Sequence, residues 1–203
     1  MKTKDRVLET ALRLFNDNGL SKVTLRTIAN EMGISQGNLC YHFKKREEII
    51  KALYFNLVAD IDEKMEEIKT NDPFKALFEI SELIMRRFYA YRFLMLDFVQ
   101  VMREHKNIKS HYKALSLRRE LEFLGLIQLL VKENYLQDEH FKNQYLHVYR
   151  RWEILGNFWL ASAFTKEKTI SECILTEYFE ITCQSIYPYL TKKGIKAYQS
   201  IIK

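Results

Sequence analysis

The chain has 203 residues, of which 47% are hydrophobic, and a formal net charge of +6. This apolar content excludes an intrinsically disordered protein and is enough for a sizeable core. The three cysteines, Cys40, Cys173 and Cys183, are scattered without a C-x-x-C pair, which excludes a disulfide framework and a cysteine-based zinc site. The five histidines are scattered as well, so we expect neither a metal ion nor another cofactor.

The amino-terminal segment alternates charged and apolar residues, and no later segment reaches a run of uncharged apolar residues long enough to span a bilayer. We therefore expect no signal peptide, no membrane contact and a cytoplasmic location.

Two prolines and six glycines in the whole chain, with apolar residues recurring at three- and four-residue spacing, predict an all-α fold. The first helix should end at Asn18-Gly19, the second should begin behind Thr24, and a long helix should follow from about Glu47. Asp72 and Pro73 are a typical N-cap and first residue of a new helix. Beyond them we expect four long helices, over residues 73–104, 108–134, 138–165 and 170–187.

Two further expectations concern the second half of the chain. The stretch from Leu121 to Val131 is apolar nearly all round, which predicts a helix buried within a bundle. A short amphipathic tail with Ile195, Tyr198, Ile201 and Ile202 should dock on the body. The predicted organisation is a small head, residues 1–46, and a larger helical body, residues 47–203.

Positive charge is concentrated in the head. Residues 1–46 hold nine Lys and Arg against four acidic residues, a balance of +5 out of the total of +6. A basic segment on a near-neutral body is typical of nucleic-acid binding, and a solvated basic face is the alternative.

Residues 24–43 predict two short helices joined by a tight turn. Gly33 takes the backbone conformation that side chains disfavour, and Ser35 is the N-cap of the second helix. Ile34 and Leu39 have the spacing of a hydrophobic staple, which fixes the direction in which the chain enters the helix. The angle between the two helices is therefore specified locally.

The second helix of this pair leaves a polar surface outside if Leu39 and Phe43 face inward. Gln and Asn side chains pair with adenine in the major groove, while Tyr and His suit phosphate oxygens. A glycine inside a helix costs about 1 kcal/mol relative to alanine, and either close approach to DNA or close packing against the first helix would explain Gly37. The exposed set comprises Gln36, Gly37, Asn38, Cys40, Tyr41 and His42.

Lys44, Lys45 and Arg46 stand at the start of the long helix, where cations oppose the helix dipole. A bound phosphate would remove that conflict, because helix N-termini commonly bind anions. Three solvated side chains are the alternative.

With these motifs the chain resembles the amino-terminal signature of the TetR family of repressors over residues 3–50, most clearly in the segment from Gly19 to Ile50. The family pattern maps onto Thr24, Ile28-Ala29, Gly33-Ile34-Ser35 and the run from Leu39 to Lys44. The resemblance implies a three-helix DNA-binding head, a helical body that binds a small-molecule effector, and a homodimer built largely from the last two long helices. It implies a transcriptional regulator that binds an operator in double-stranded DNA, and not an enzyme.

The resemblance also implies roles for single residues. Thr24 would bind phosphate, Arg26 would reach a base or a phosphate, and Gln36 and Asn38 would contact base edges. The residues implied to hold the DNA backbone are Tyr41, His42, Lys44 and Arg46. The chain departs from the family pattern at Cys40, where a tyrosine hydroxyl that often touches phosphate is missing. Cys40 is either a small helix residue or a redox-sensitive one, and the sequence favours the first reading because only Lys44 is near to lower a thiol pKa.

The body resembles the family only in being helical. Polar residues within apolar surroundings need partners, so they either pair with one another or contact a ligand. The candidate ligand-binding residues are Arg87, Phe93, Asp97, Gln100, Glu122, Gln128, Trp152 and Asn157. For the dimer interface we expect the stripe Val148, Trp152, Leu155, Trp159 and Ala163, with Gly156 and Ala161 permitting close helix approach. The next predicted helix, over residues 170–187, adds Cys173, Ile174, Tyr178 and Ile181, so that two helices from each subunit form a four-helix interface.

Two other classes of function stay open on the sequence alone. A helical adaptor would bind another protein through the same amino-terminal helices, and protection of a palindromic DNA site would argue against it. An enzyme lacks support, because no Ser-His-Asp, Cys-His or paired-carboxylate arrangement has recognisable local spacing.

Overall fold

The computed structural model describes residues 2–68 and 70–201. Within them the chain forms eleven α-helices and two short 3-10 turns, Leu20–Lys22 and Tyr187–Tyr189. The all-α prediction is confirmed, since the described residues contain only one isolated β-bridge, Leu136 with Leu190. The helices are α1 Thr3–Asn18, α2 Leu25–Glu31, α3 Gln36–His42, α4 Arg46–Glu67, α5 Pro73–Ala90, α6 Arg92–Leu96, α7 Phe98–Glu104, α8 Lys106–Lys132, α9 Gln144–Phe164, α10 Glu172–Gln184 and α11 Lys192–Ile201.

The start and end signals of the first helices lie where the sequence predicts them. Gly19 ends α1 with a φ of +78°, and Asp72 caps α5 by accepting hydrogen bonds from the N–H groups of Phe74 at 2.8 Å and Lys75 at 3.3 Å. The predicted long helix is α4, which has 22 residues and begins at Arg46, one residue before the expected start. These features are local in sequence, and they form as local rules require.

The predicted single helix over residues 73–104 is wrong, because the chain forms α5, α6 and α7 there. The backbone leaves the helical region at Tyr91 and at Asp97, although neither position is a glycine or a proline. Asn16 of α1 supplies the reason for the first break. Its side-chain amide donates to the carbonyl of Ala90 at 2.8 Å and accepts from the N–H of Phe93 at 3.2 Å, so it binds two backbone groups that the interruption frees.

The expected burial of the stretch from Leu121 to Val131 is also wrong for most of its residues. Ile127 and Leu130 are buried, but Leu121 has 71% of its surface exposed and Leu129 has 40%. This part of α8 therefore presents apolar side chains on two sides, of which only one faces the core of its own subunit.

The carboxyl-terminal helix docks on the body as expected. Tyr198 is buried against Phe78, and Ile195 and Ile201 pack on the same cluster, while Ile202 lies outside the described residues. Gly194 makes this docking possible, because a Cβ there would lie 2.1 Å from the carbonyl oxygen of Tyr135.

One continuous core joins the first helices to the body. Buried residues of α1 to α3 share a cluster with Ile49, Ile50 and Leu53 of α4, and the same cluster continues to Phe93, Leu94 and Val101. Helix α4 thus packs against the head with its first half and against the body with its second. None of the helices in the described ranges is long and apolar enough to cross a bilayer.

Candidate nucleic-acid interface and ligand cavity

Helices α2 and α3 are held at a fixed angle by their caps and by the turn between them. The hydroxyl of Thr24 accepts from the N–H of Thr27 at 3.2 Å, and the hydroxyl of Thr27 accepts from the N–H of Thr24 at 2.8 Å, which completes a reciprocal cap. Ser35 caps α3 by accepting from the N–H of Asn38 at 3.2 Å. Gly33 has a φ of +66°, the left-handed conformation that favours glycine.

Helix α3 buries one side and exposes the other. Leu39 and Phe43 lie in the core, and Tyr41 has 85% of its surface exposed. The Tyr41 and His42 rings meet edge to face with their centroids 5.3 Å apart. The exposed side presents hydrogen-bonding groups from a short, rigid helix, as a reader of base edges requires. Its remaining exposed residues are Gln36, Gly37 and Asn38.

Gly37 has free space around it. A Cβ at this position would have the Ser35 hydroxyl at 3.9 Å as its nearest neighbour, and α1 would not be within 4 Å. Close packing against the first helix therefore does not explain this glycine. Close approach to a partner outside the chain remains as its explanation.

The three basic residues after α3 differ in what they do. Lys44 and Lys45 are exposed, and Lys45 precedes the first residue of α4. Arg46 turns inward and donates to the carbonyl oxygens of Leu20 at 2.8 Å and Val23 at 3.3 Å. The Glu48 side chain accepts from the N–H of Lys44 at 2.8 Å, so an acidic group of the chain already serves this helix start. The structure thus leaves the two lysines, more than Arg46, available to a phosphate.

The second half of α4 is joined to the body by ion pairs. Asp62 pairs with Arg118 at 2.8 Å and also with Arg119, both on α8. Burial acts to raise the pKa of Asp62, but the hydrogen bonds and charges of the two arginines outweigh it and hold that pKa below its ordinary value. On the opposite side, Asp60 pairs with Arg87 of α5 at 3.2 Å. Displacement of the body helices would therefore pull on α4.

The body encloses a cavity of about 260 Å³. Its walls are mainly apolar side chains from α4, α5, α6, α7, α8 and α9, and α4 alone contributes Tyr54, Leu57, Val58, Ile61 and Met65. A concave, apolar space with a few polar groups is the usual form of a small-molecule site.

The cavity walls include three of the eight candidate ligand-binding residues: Glu122, Trp152 and Asn157. Trp152 donates from its indole N–H to the Ser185 hydroxyl at 2.6 Å, and Asn157 donates to the Tyr112 hydroxyl at 2.7 Å.

The other five candidates lie away from the cavity walls. Arg87 pairs with Asp60, Gln100 is exposed and donates to Glu104 at 2.9 Å, and Gln128 is exposed on α8. Phe93 is buried where the head meets the body and stacks on Phe15 of α1 with centroids 5.0 Å apart. Asp97 lies at the break between α6 and α7. A polar residue in an apolar stretch marks a capped helix end or an ion pair as readily as a ligand contact.

Most residues of the cavity wall could not be predicted as a ligand site from the sequence, because they are apolar. Apolar residues at helical spacing predict a core, and nothing in that pattern distinguishes a filled core from an empty one. Gly156 is the single signal that could have been used. It interrupts an otherwise well-packed helix, it lines the cavity, and a Cβ on it would meet no atom within 4 Å.

The stripe predicted for the dimer interface is largely buried inside the subunit, and that prediction is wrong for Val148, Trp152, Trp159 and Ala163. Exposed apolar residues of the body lie elsewhere on α8, α9 and α10, and also at Leu96, Val99, Phe141 and Tyr187. Contacts of Tyr112 with Asn157 and of Glu120 with Arg150 show that α8 and α9 run antiparallel. We call five exposed apolar residues of these three helices the outer face, in which the two on α8 and the two on α9 are each one helical turn apart: Leu117, Leu121, Ile154, Phe158 and Ile181.

Among residues 2–68 and 70–201, no cluster of three or more His, Cys, Asp or Glu side chains has the arrangement of a metal site. The three cysteines are unpaired thiols; Cys40 is half-buried, and burial raises the pKa of the Cys183 thiol.

Two family models match the chain. The model described as "Bacterial regulatory proteins, tetR family" covers residues 7–53, and the model described as "Bacterial transcriptional repressor" of the TetR type covers residues 57–198. Together they span the three head helices, the cavity and the outer face.

Known proteins give the same result at two levels. The chain is 40% identical over 47 residues to the uncharacterised HTH-type regulator YerO of Bacillus subtilis, a match that covers 23% of this chain and 16% of YerO. It is 40% identical over 48 residues to the HTH-type repressor KstR2 of Mycolicibacterium smegmatis, covering 24% of this chain and 23% of that one. The chain thus aligns with less than a quarter of either relative. In structure it is similar to a TetR-family regulator of Marinobacter aquaeolei, with a TM-score of 0.86, 22% identity and coverage of 100% of this chain and 98% of that one.

Proposed function

The chain belongs to the TetR family of bacterial transcriptional regulators, and on that premise we propose that it is a ligand-responsive repressor that binds a palindromic operator as a homodimer. One observation carries the proposal: α4 packs against the DNA-binding helices at one end and lines a cavity at the other. In this proposal the head is residues 1–46, the body is residues 47–203, and the protein acts in the cytoplasm by binding and not by turnover.

The exposed side of α3 enters the major groove. Gln36 and Asn38 contact base edges, and the exposed backbone at Gly37 lets the helix approach closely. Tyr41, His42, Lys44 and Lys45 hold phosphates on one side of the groove, and Thr24 and Arg26 hold them on the other. Arg46 contributes by fixing the start of α4 to the loop before α2, since its guanidinium already binds two carbonyls there.

The outer face supports the homodimer. Ile154 and Phe158 lie four residues apart on α9, with 60% and 42% of their surfaces exposed, and Ile181 has 42% exposed on α10, which packs against α9 through Tyr178 and Trp159. Exposed apolar residues clustered on one side of a protein are typical of an interaction surface. A twofold axis through this face would pair α9 and α10 with their copies in a four-helix arrangement.

A ligand in the cavity would reach the head by two routes. Five residues of α4 line the cavity, so a ligand displaces this helix directly. Leu94 and Met95 of α6 also line the cavity, and the preceding residue, Phe93, stacks on Phe15 of α1. A ligand shifts the balance between two conformations only by its difference in affinity for them, typically about 1–3 kcal/mol.

Replacement of Gln36 tests the assignment of the reading helix. An operator obtained by selection from random duplex DNA should bind Gln36→Ala more weakly than the native protein by about 5- to 150-fold for each half-site, because a bidentate base contact is worth about 1–3 kcal/mol. Gln199→Ala, which changes the same residue type at an exposed position of α11, is the matched control. Equal operator affinity of both variants at a fixed salt concentration would show that α3 does not read the DNA.

A further inference from the structure

The polar side chains of the cavity wall already have partners within the protein. Ser81 donates to the Leu77 carbonyl at 2.6 Å, Thr182 to the Tyr178 carbonyl at 2.9 Å, and Tyr149 to the Ser116 carbonyl at 3.0 Å. No side-chain nitrogen or oxygen of the cavity wall is among the buried polar atoms that lack a hydrogen-bond partner in residues 2–68 and 70–201. A ligand therefore finds few polar groups that need it.

The charged side chains of the wall are neutralised as well. Arg119 pairs with Asp62 and, at 2.6 Å, with Glu122. Glu153 accepts from the Ser116 hydroxyl and from Arg150 at 3.1 Å. An ionic ligand would have to break one of these pairs or enter an apolar space without a counter-ion, and an unpaired charge in such a space costs several kcal/mol.

One pair of groups retains hydrogen-bonding capacity. The Tyr112 hydroxyl accepts from the Asn157 amide at 2.7 Å, and nothing in the described ranges accepts its own proton. Burial raises the pKa of Tyr112 to about 12, so the hydroxyl keeps that proton at neutral pH. The Asn157 side-chain oxygen beside it accepts no hydrogen bond from the same residues. A spare donor and a spare acceptor thus stand together on an otherwise apolar wall.

We propose that the effector is a neutral, largely apolar molecule with one hydroxyl or carbonyl oxygen, which the Tyr112–Asn157 pair binds while the remainder fills the apolar cavity. This inference rests on the proposed function, since it names the chemical class that the regulator senses. The apolar part supplies most of the affinity, and the single oxygen sets the orientation.

Three probes with the same ten-carbon chain isolate the head group: decan-1-ol, decanoate and decyltrimethylammonium. The protein has two tryptophans, of which Trp152 lines the cavity. The Trp159→Phe background leaves Trp152 as the only indole, and Trp159 has no hydrogen-bond partner to lose. Titration of Trp152 fluorescence at pH 7.5 should give a Kd for decan-1-ol at least about tenfold below those of both ions, because neither ion has a free counter-charge.

Two glycine variants show whether the probe occupies the cavity. Gly156→Leu adds a side chain that grows into the open space of the cavity, whereas Gly125→Leu makes the same change at an exposed position of α8 that does not line it. We expect Gly156→Leu to abolish the decan-1-ol response and Gly125→Leu to preserve it. Tyr112→Phe should weaken decan-1-ol binding about fivefold, the effect of one lost hydrogen bond. Thermal unfolding of each variant shows that it is folded.

The inference is overturned if either ion binds as tightly as the alcohol, if no probe binds, or if alcohol binding survives in Gly156→Leu. Operator binding by the same preparations separates this result from the proposed function. Intact operator binding with an ionic preference would reject the ligand class alone. Absence of operator binding together with a clear preference for the alcohol would reject the proposed repressor function. It would still support a cavity that binds neutral, apolar ligands.

Discussion

At Gly37 the backbone of α3 passes along the exposed surface without a side chain, and within residues 2–68 and 70–201 an added Cβ would meet only the Ser35 hydroxyl, at 3.9 Å. A methyl group would fit there in the free protein, and alanine is the better helix former by about 0.5–1 kcal/mol. Selection for stability alone would therefore not place glycine at this position. In the proposed function, close approach of the DNA is the reason for this glycine.

Replacement of Gly37 by alanine should separate folding from binding. We expect Gly37→Ala to raise the free energy of unfolding by up to about 1 kcal/mol, from the improved helix propensity, and to weaken operator binding. Chemical denaturation and fluorescence anisotropy with labelled operator measure the two effects. Unchanged or tighter operator binding would show that close approach of the DNA is not the reason for glycine at this position.

Lys44 and Arg46 carry the same charge but face different partners, and the salt dependence of DNA binding distinguishes them. Lys44→Ala removes one phosphate contact per subunit. The negative slope of log K against log salt concentration should therefore become shallower by about 2 for the dimer, without loss of stability. Arg46→Ala should instead leave that slope unchanged and lower the free energy of unfolding by about 1–3 kcal/mol, because two hydrogen bonds from a charged donor are lost. The reverse pattern would make Arg46 the phosphate ligand.

Helices α2 and α3 could be predicted almost completely because their signals are local. Thr24, Gly33 and Ser35 each act on backbone groups within a few residues, so the sequence contains the whole interaction. The break between α5 and α6 could not be predicted, since the residue that binds its freed backbone groups, Asn16, stands 74 positions away from Ala90. The cavity is non-local in the same sense, because it arises from seven helices, α4 to α10, that leave space between ordinary core residues.

The bond from Asn16 to the α5–α6 break also joins the head to the body. We expect Asn16→Ala to lower the free energy of unfolding by about 1–3 kcal/mol, because two half-buried backbone groups lose their partner. Hydrogen exchange at the Phe93 amide should become faster in this variant. Asn18→Ala is the matched control on the same helix, since the Asn18 amide donates only to the exposed Leu14 carbonyl at 3.1 Å. Equal effects of the two variants would show that Asn16 does not join the two parts.

Helix α4 is the element that the DNA-binding head and the cavity of the body share. Its first half is part of the head core, and its second half lines the cavity and is held by Asp60 and Asp62. The fold class and the presence of a DNA-binding head followed from the sequence. The surface that would join two subunits did not, because the most regular apolar stripe of α9 turned inward and left Ile154 and Phe158 outside.

Selection of bound sequences from random duplex DNA examines the reading helix and the dimer in one measurement. The native protein should select a palindrome whose half-sites lie about 34 Å apart, one turn of the duplex. Ile154→Glu, which places a charge on the outer face, should select single half-sites weakly or none, whereas Ile154→Leu should select the same palindrome as the native protein. A selected site without twofold symmetry, or recovery of no preferred sequence by the native protein, would contradict the account.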